Sequence, residues 1–115
     1  MNHEPPTYRE MERNHGARQW SEWLLQKRFG GDAQAAEQGI GVRDRVLDRA
    51  DLHVGHTVVD VGTGDGLIAF GALDRVGESG RVIFVDISQA LLDHAHSLAE
   101  EMGVAERCSF LNAPA

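Results

Sequence analysis

Only one cysteine, Cys108, occurs in the 115 residues. No disulfide can form within the chain, and cysteine use this sparse fits a reducing compartment such as the cytoplasm. The thiol reads as a small buried hydrophobe rather than a reactive group. No apolar run approaches the ~20 residues that a membrane-spanning helix requires. The opening Met1 to Pro6 stretch also lacks the basic-then-apolar layout of an export signal. Basic residues are scarce as well, with 11 Lys and Arg against 18 Asp and Glu and a net charge of −7. That sign argues against a protein that tracks nucleic-acid phosphates. Neither a membrane nor a nucleic acid is therefore an expected partner. The imbalance is also local: residues 1–31 carry five basic and four acidic side chains, and residues 32–115 carry six and fourteen. A ligand bound by the second stretch meets an anionic surface, which suits a cation.

The length fits one compact unit rather than two. Residues 1–16, with Pro5, Pro6, Asn14 and Gly16 among scattered charges, hold no period and read as a flexible tail. Residues 17–40 read as an N-terminal helical segment. In it Trp20, Trp23, Leu24 and Phe29 fall at near-helical spacing before Gly30 and Gly31. From residue 41 onward a Rossmann-like domain is expected, opened by a short helix over 41–50 on Val42, Val46, Leu47 and Ala50. The pattern then alternates: strand 57–61, helix 67–75, strand 81–85, helix 88–102 and a third strand 108–111. Ser88 is placed to cap the last helix and Gly103 to end it, with Leu91, Leu92, Ala95, Leu98, Ala99 and Met102 as its apolar stripe. The helix over 67–75 is apolar on nearly every side, and Gly71 allows close packing against it. Runs of Val and Ile without alternation predict strands buried on both faces. The expected fold is α/β: a truncated parallel sheet of about three strands, with helices on both faces, joined by right-handed crossovers.

Asp60-Val61-Gly62-Thr63-Gly64-Asp65-Gly66 lies between the first strand and its helix. Glycines there let the backbone turn sharply, remove β-carbons that would block a ligand, and expose amides at the helix entrance. Asp86 follows Gly66 by 20 residues, at the end of the next strand. A carboxylate there can accept both hydroxyl protons of a ribose, so the pair points to a nucleoside-bearing ligand. A dinucleotide fingerprint starting at Gly62 needs glycine at position 67, where Leu67 stands. Asp60 and Asp65 would also repel a diphosphate while suiting a cation. Asp60 could instead serve only local backbone donors, and Asp86 only the entry of the helix after Ser88.

The run from Asp60 to Gly66 resembles the D/E-x-G-x-G-x-G motif of the class I S-adenosylmethionine-dependent methyltransferases. Residues 82–88, Val-Ile-Phe-Val-Asp-Ile-Ser, resemble their second motif, and the likeness covers residues 41–115. The resemblance implies a methyltransferase with S-adenosylmethionine as cofactor. Gly62, Thr63, Gly64 and Gly66 would line its methionine portion and Asp60 would help hold its ammonium. Asp86 would take the ribose hydroxyls, Ile87 would pack on adenine, and Asn112 would supply a hydrogen bond near adenine.

The family's sheet has seven strands and this chain supplies three, so the expectation is the cofactor-binding half of a methyltransferase acting on a small-molecule acceptor. No residue presents itself as a general base, and the catalytic residues stay open. His53 with His56, and His94 with His96, are poorly disposed for a metal. The alternatives are a non-catalytic S-adenosylmethionine-binding or assembly module and, more remotely, an NAD-binding oxidoreductase fragment. The outer edge of the first strand, residues 58–61, would be an unpaired apolar border. Either two copies pair across it or the helix containing Trp20 and Phe29 covers it.

Overall fold

The computed structural model describes Gly30 and residues 32–115. The expected tail and the helix over 17–29 lie outside these described residues. Helix α1 (Ala33–Ala50) starts eight residues before the expected position 41. Asp32 provides the reason, because its carboxylate accepts the Ala35 N–H at 3.1 Å and nucleates the helix from there. The Ala- and Gln-rich stretch before residue 41 is good helix-forming sequence once capped. α1 therefore runs through the boundary expected at residues 40 and 41.

Strand β1 (Thr57–Val61), helix α2 (Leu67–Val76), strand β2 (Arg81–Asp86), helix α3 (Gln89–Glu101) and strand β3 (Cys108–Asn112) follow in order. A single 3-10 turn at Ala105–Arg107 precedes β3. The three strands form one parallel sheet in the order β1-β2-β3, with Asp60 beside Phe84 and Asp86 beside Asn112. All three carboxyl ends thus lie along one rim, where ligands bind in parallel sheets.

α2 and α3 pack on the same face of the sheet. Phe70, Leu73 and Val76 of α2 join Val82 and Phe84 of β2 and Leu92, Ala95 and Ala99 of α3 in one core. Phe84 sits at its centre, 5.0 Å from the Phe70 ring and 4.8 Å from the Phe110 ring. α1 adds an outer layer by packing on α2 through Arg43 and Leu47. Gly71 permits this approach, because a β-carbon there would lie 2.7 Å from Arg43 Cδ and 2.8 Å from Leu47 Cδ1. An Arg75–Asp48 ion pair at 2.9 Å ties the same helices further along.

The opposite face carries Val59, Val61, Ile83 and Leu111, and no described helix packs on it. Val59 and Val61 are each 55% exposed, so the burial of β1 on both faces expected from its Val-rich run is not found. Among the described residues β1 is an edge strand, and only the central β2 is largely enclosed. In α3 the stripe holds except at Leu91, which is exposed while the adjacent Leu92 points inward. Cys108 is buried, as its composition-based reading had it, and its thiol donates to the Val104 carbonyl at 3.3 Å. No helix among the described residues is long and apolar enough to cross a membrane.

Candidate cofactor site

The chain leaves β1 through a turn in which Gly62, Gly64 and Gly66 all have positive φ, at 72°, 60° and 95°. This region is costly for residues with a β-carbon. The N–H groups of Gly62 and Thr63 both donate to the Val85 carbonyl, at 2.8 and 2.9 Å, which ties the turn to the end of β2. The Gly66 N–H then donates to the Thr63 carbonyl at 2.9 Å and delivers the chain into α2.

The three glycines have different surroundings. A β-carbon on Gly62 or Gly64 would meet nothing within 4 Å, so these two leave open space at the rim. On Gly66 it would lie 2.7 Å from Phe70 and 2.9 Å from Phe84. Gly66 is buried, and its lack of a side chain serves the core as well as the turn.

Asp60 shares the helix-facing side of the sheet with Phe84. Its Oδ2 accepts the Thr63 hydroxyl at 2.7 Å, and the Ala69 N–H in the first turn of α2 also stabilises its charge. Burial nevertheless raises its pKa above the usual 3.8, and the negative charge of Asp86 adds to that push. Asp86 behaves oppositely. Its Oδ1 accepts the Ser88 N–H and its Oδ2 the Gly64 N–H, both at 2.8 Å, and these donors hold its pKa below 3.8. Each of its oxygens keeps a lone pair for a further donor such as a hydroxyl. Ser88 caps α3 as expected, its hydroxyl accepting the Leu91 N–H at 3.2 Å.

Ile87 is 76% exposed beside Asp86, an apolar side chain held out at the rim. Asn112 reaches the same place from β3, with its Nδ2 donating to the carbonyls of Asp86 at 3.2 Å and Ile87 at 2.9 Å. The structure thus brings Asp60, Gly62, Thr63, Gly64, Asp86, Ile87 and Asn112 to one rim and sets Gly66 just beneath it. It also assigns two tasks that the sequence left unread: Thr63 holds the Asp60 carboxylate, and Asn112 holds the turn after Asp86. A hydroxyl three residues after an acid, at the mouth of a glycine turn, was the available signal for the first. The second depends on strand register, which no local pattern encodes.

Other features fall away from this rim. An open concavity of about 480 Å³ runs past Glu37, Gln38, Gly41, Val42 and Arg45, all on α1, and among the described residues no second element lines it. His56 Nδ1 accepts the His53 N–H at 3.1 Å, a turn-forming role, and His96 stacks on Phe110 with centroids 4.7 Å apart.

The rim fits an adenosine-linked cation better than a diphosphate. Its free space lies at two glycines, its flanks are carboxylates, and the Gly64 amide, a donor that a phosphate would need, is already bonded to Asp86.

Comparison with known proteins agrees. A family model described as a methyltransferase domain matches residues 52–115, more than half of the chain. Nocamycin O-methyltransferase from Saccharothrix syringae is 36% identical over 73 residues, covering 64% of this chain and 26% of the relative. Among solved structures, an RNA methyltransferase from Salinibacter ruber in complex with S-adenosyl-L-homocysteine superposes with a TM-score of 0.57 at 31% identity. That match covers 64% of this chain and 47% of the other. A SAM-dependent O-methyltransferase from Thermotoga maritima gives a TM-score of 0.59 over 64% of this chain and 28% of its own, and at 22% identity it supports the fold. The chain spans about a quarter of the length of the curated relative it matches. On its glycine turn, its strand order and the family match, this chain belongs to the methyltransferase domain family.

Proposed function

We propose that the chain binds S-adenosylmethionine along the rim of its three strands and forms the cofactor-holding part of a methyltransferase that acts on a small-molecule acceptor. The observation that carries this reading is the pairing of open glycines, Gly62 and Gly64, with the fixed carboxylate of Asp86 at 2.8 Å from the Gly64 amide. Asp86 would accept the ribose hydroxyls on its remaining lone pairs, and Ile87 would offer an apolar surface to adenine. Gly62, Thr63 and Gly64 would line the methionine portion, and Asp60 would face its ammonium, with Thr63 holding that carboxylate in place. The bound cofactor supplies a methyl group activated by a sulfonium. The described residues would bind the cofactor and fix its orientation, one half of the alignment that an in-line methyl transfer requires.

The likeness to an O-methyltransferase named for nocamycin and the chain's net charge of −7 support a small-molecule acceptor. The methyltransferase family match favours this reading over a nicotinamide-binding one. Isothermal titration with S-adenosylhomocysteine and with NAD tests it. Binding of the former, weakened about ten-fold or more in Asp86→Asn, is expected, since the amide replaces an acceptor with a donor facing an N–H. Binding of NAD alone would overturn the reading. Among the described residues no strand pairs with the outer edge of β1, which supports self-pairing of two copies there, and sedimentation as a monomer at high concentration would count against it.

A further inference from the structure

We propose that Asn112 is a positioning residue, one that clamps the turn after β2 from the end of β3 and through it fixes the Asp86 carboxylate against the glycine turn. The proposal rests on the cofactor reading above for its consequence, and on the hydrogen bonds of the protein itself for its substance.

Asn112 is the register partner of Asp86 on the neighbouring strand. Its Nδ2 donates to two carbonyls, Asp86 O at 3.2 Å and Ile87 O at 2.9 Å, while the Ala113 N–H donates to Asp86 O at 3.1 Å. One residue further along this network, the Asp86 side chain holds the Ser88 and Gly64 amides at 2.8 Å each. The ends of β3, β2 and β1 are thereby stitched in series, and Asn112 is the side chain at the outer end of the series. The two carbonyl partners dictate its orientation. Only the amide nitrogen can face them, so Oδ1 is turned the other way. They also dictate its identity, because an aspartate of the same shape offers acceptors alone and would set a negative charge against two carbonyl dipoles.

This role differs from the direct adenine contact that the sequence suggested, and the two rank the same substitutions oppositely. If Asn112 acts through an outward acceptor, Asn112→Asp keeps that acceptor and should bind as well as the unaltered chain, with Asn112→Ala the weaker. If Asn112 acts through its inward donor, Asn112→Ala loses the clamp and Asn112→Asp loses it and adds repulsion.

The experiment measures the 115-residue chain and both variants in two ways. Without ligand, hydrogen exchange at the Gly64 and Ser88 amides should speed up about five-fold or more in both variants, the loss of one hydrogen bond's protection. Unchanged circular dichroism checks that each variant is folded, as expected for an exposed position. In titration with S-adenosylhomocysteine, affinity should fall about five-fold in Asn112→Ala and further in Asn112→Asp. Exchange at Gly64 and Ser88 that is the same in all three chains, or Asn112→Asp binding as tightly as the unaltered chain, would overturn the proposal. If the unaltered chain binds no S-adenosylhomocysteine, the cofactor reading fails, and the exchange result alone decides the role of Asn112.

Discussion

Replacing Gly66 and Gly64 separately by alanine should part the folding role of the glycine turn from its binding role. At Gly66 the new β-carbon would sit 2.7 and 2.8 Å from two atoms of the Phe70 ring and 2.9 Å from Phe84. Neither ring can swing aside, since both have no exposure and they pack edge to face at 5.0 Å. Overpacking of this kind costs about 1–3 kcal/mol. The positive φ adds about 1–2 kcal/mol for an alanine, so Gly66→Ala should lose roughly 2–5 kcal/mol. At Gly64 only the φ contribution applies, because the β-carbon would enter open space. Thermal unfolding followed by circular dichroism reads the difference. With about 4–8 °C per kcal/mol for a domain of this size, Gly66→Ala should melt at least ~8 °C lower and Gly64→Ala about half as far. Calorimetric titration with S-adenosylhomocysteine should rank them the other way, with Gly64→Ala losing most of its affinity while still folded. Equal destabilisation of the two variants would refute the division of labour, as would full affinity in Gly64→Ala.

Cofactor affinity should weaken as pH falls from neutrality through the raised pKa of Asp60, because burial and Asp86 already disfavour its charge and a bound ammonium needs that charge. In acid unfolding the two carboxylates act oppositely. The Asp60 contribution is full below 3.8 and fades as pH rises through its raised value, whereas that of Asp86 is full above 3.8 and is lost as pH falls through its depressed one. Urea melts of Asp60→Asn and Asp86→Asn across that range check both signs. Arg107→Met should destabilise the fold by roughly 1.5–3 kcal/mol, since the Arg107 Nη2 caps the end of α2 at the carbonyls of Leu73 (2.8 Å) and Gly77 (2.6 Å); an unchanged urea midpoint would refute it. Burial pushes the Cys108 thiol up to about 11, so a thiol reagent at neutral pH should label it only after unfolding. Rapid labelling of the native chain would show that β3 opens readily.

Much of the fold was written in local patterns. The β-branched run at 57–61, the glycine at 103 and the period of α3 each fixed an element to within a residue or two, because each is decided by its own neighbours in sequence. The start of α1 escaped because one capping side chain, Asp32, outweighs a weak apolar period. Burial was misread where it depends on what lies across the sheet. The Val residues of β1 resemble those of β2, yet only β2 has a strand on either side among the described residues. The site was legible as far as its backbone signature reached: Asp60, the glycines and Asp86 converge because strand ends in a parallel sheet must. The separate duty of Gly66 and the inward-facing amide of Asn112 were hidden, since they arise from Phe84 beneath the turn and from the pairing of β2 with β3.

The order β1-β2-β3 has a kinetic corollary. Every strand pairs with its successor in the chain, Thr57 with Arg81 and Val82 with Cys108, separations of 24 and 26 residues. Each crossover must close before its parallel pairing is rewarded, and pairings of this separation in a chain of 115 residues belong with the slower-folding topologies. The rim residues therefore come together only after both crossovers have closed. The last link is the Ala113 N–H, which reaches the Asp86 carbonyl only once β3 lies beside β2.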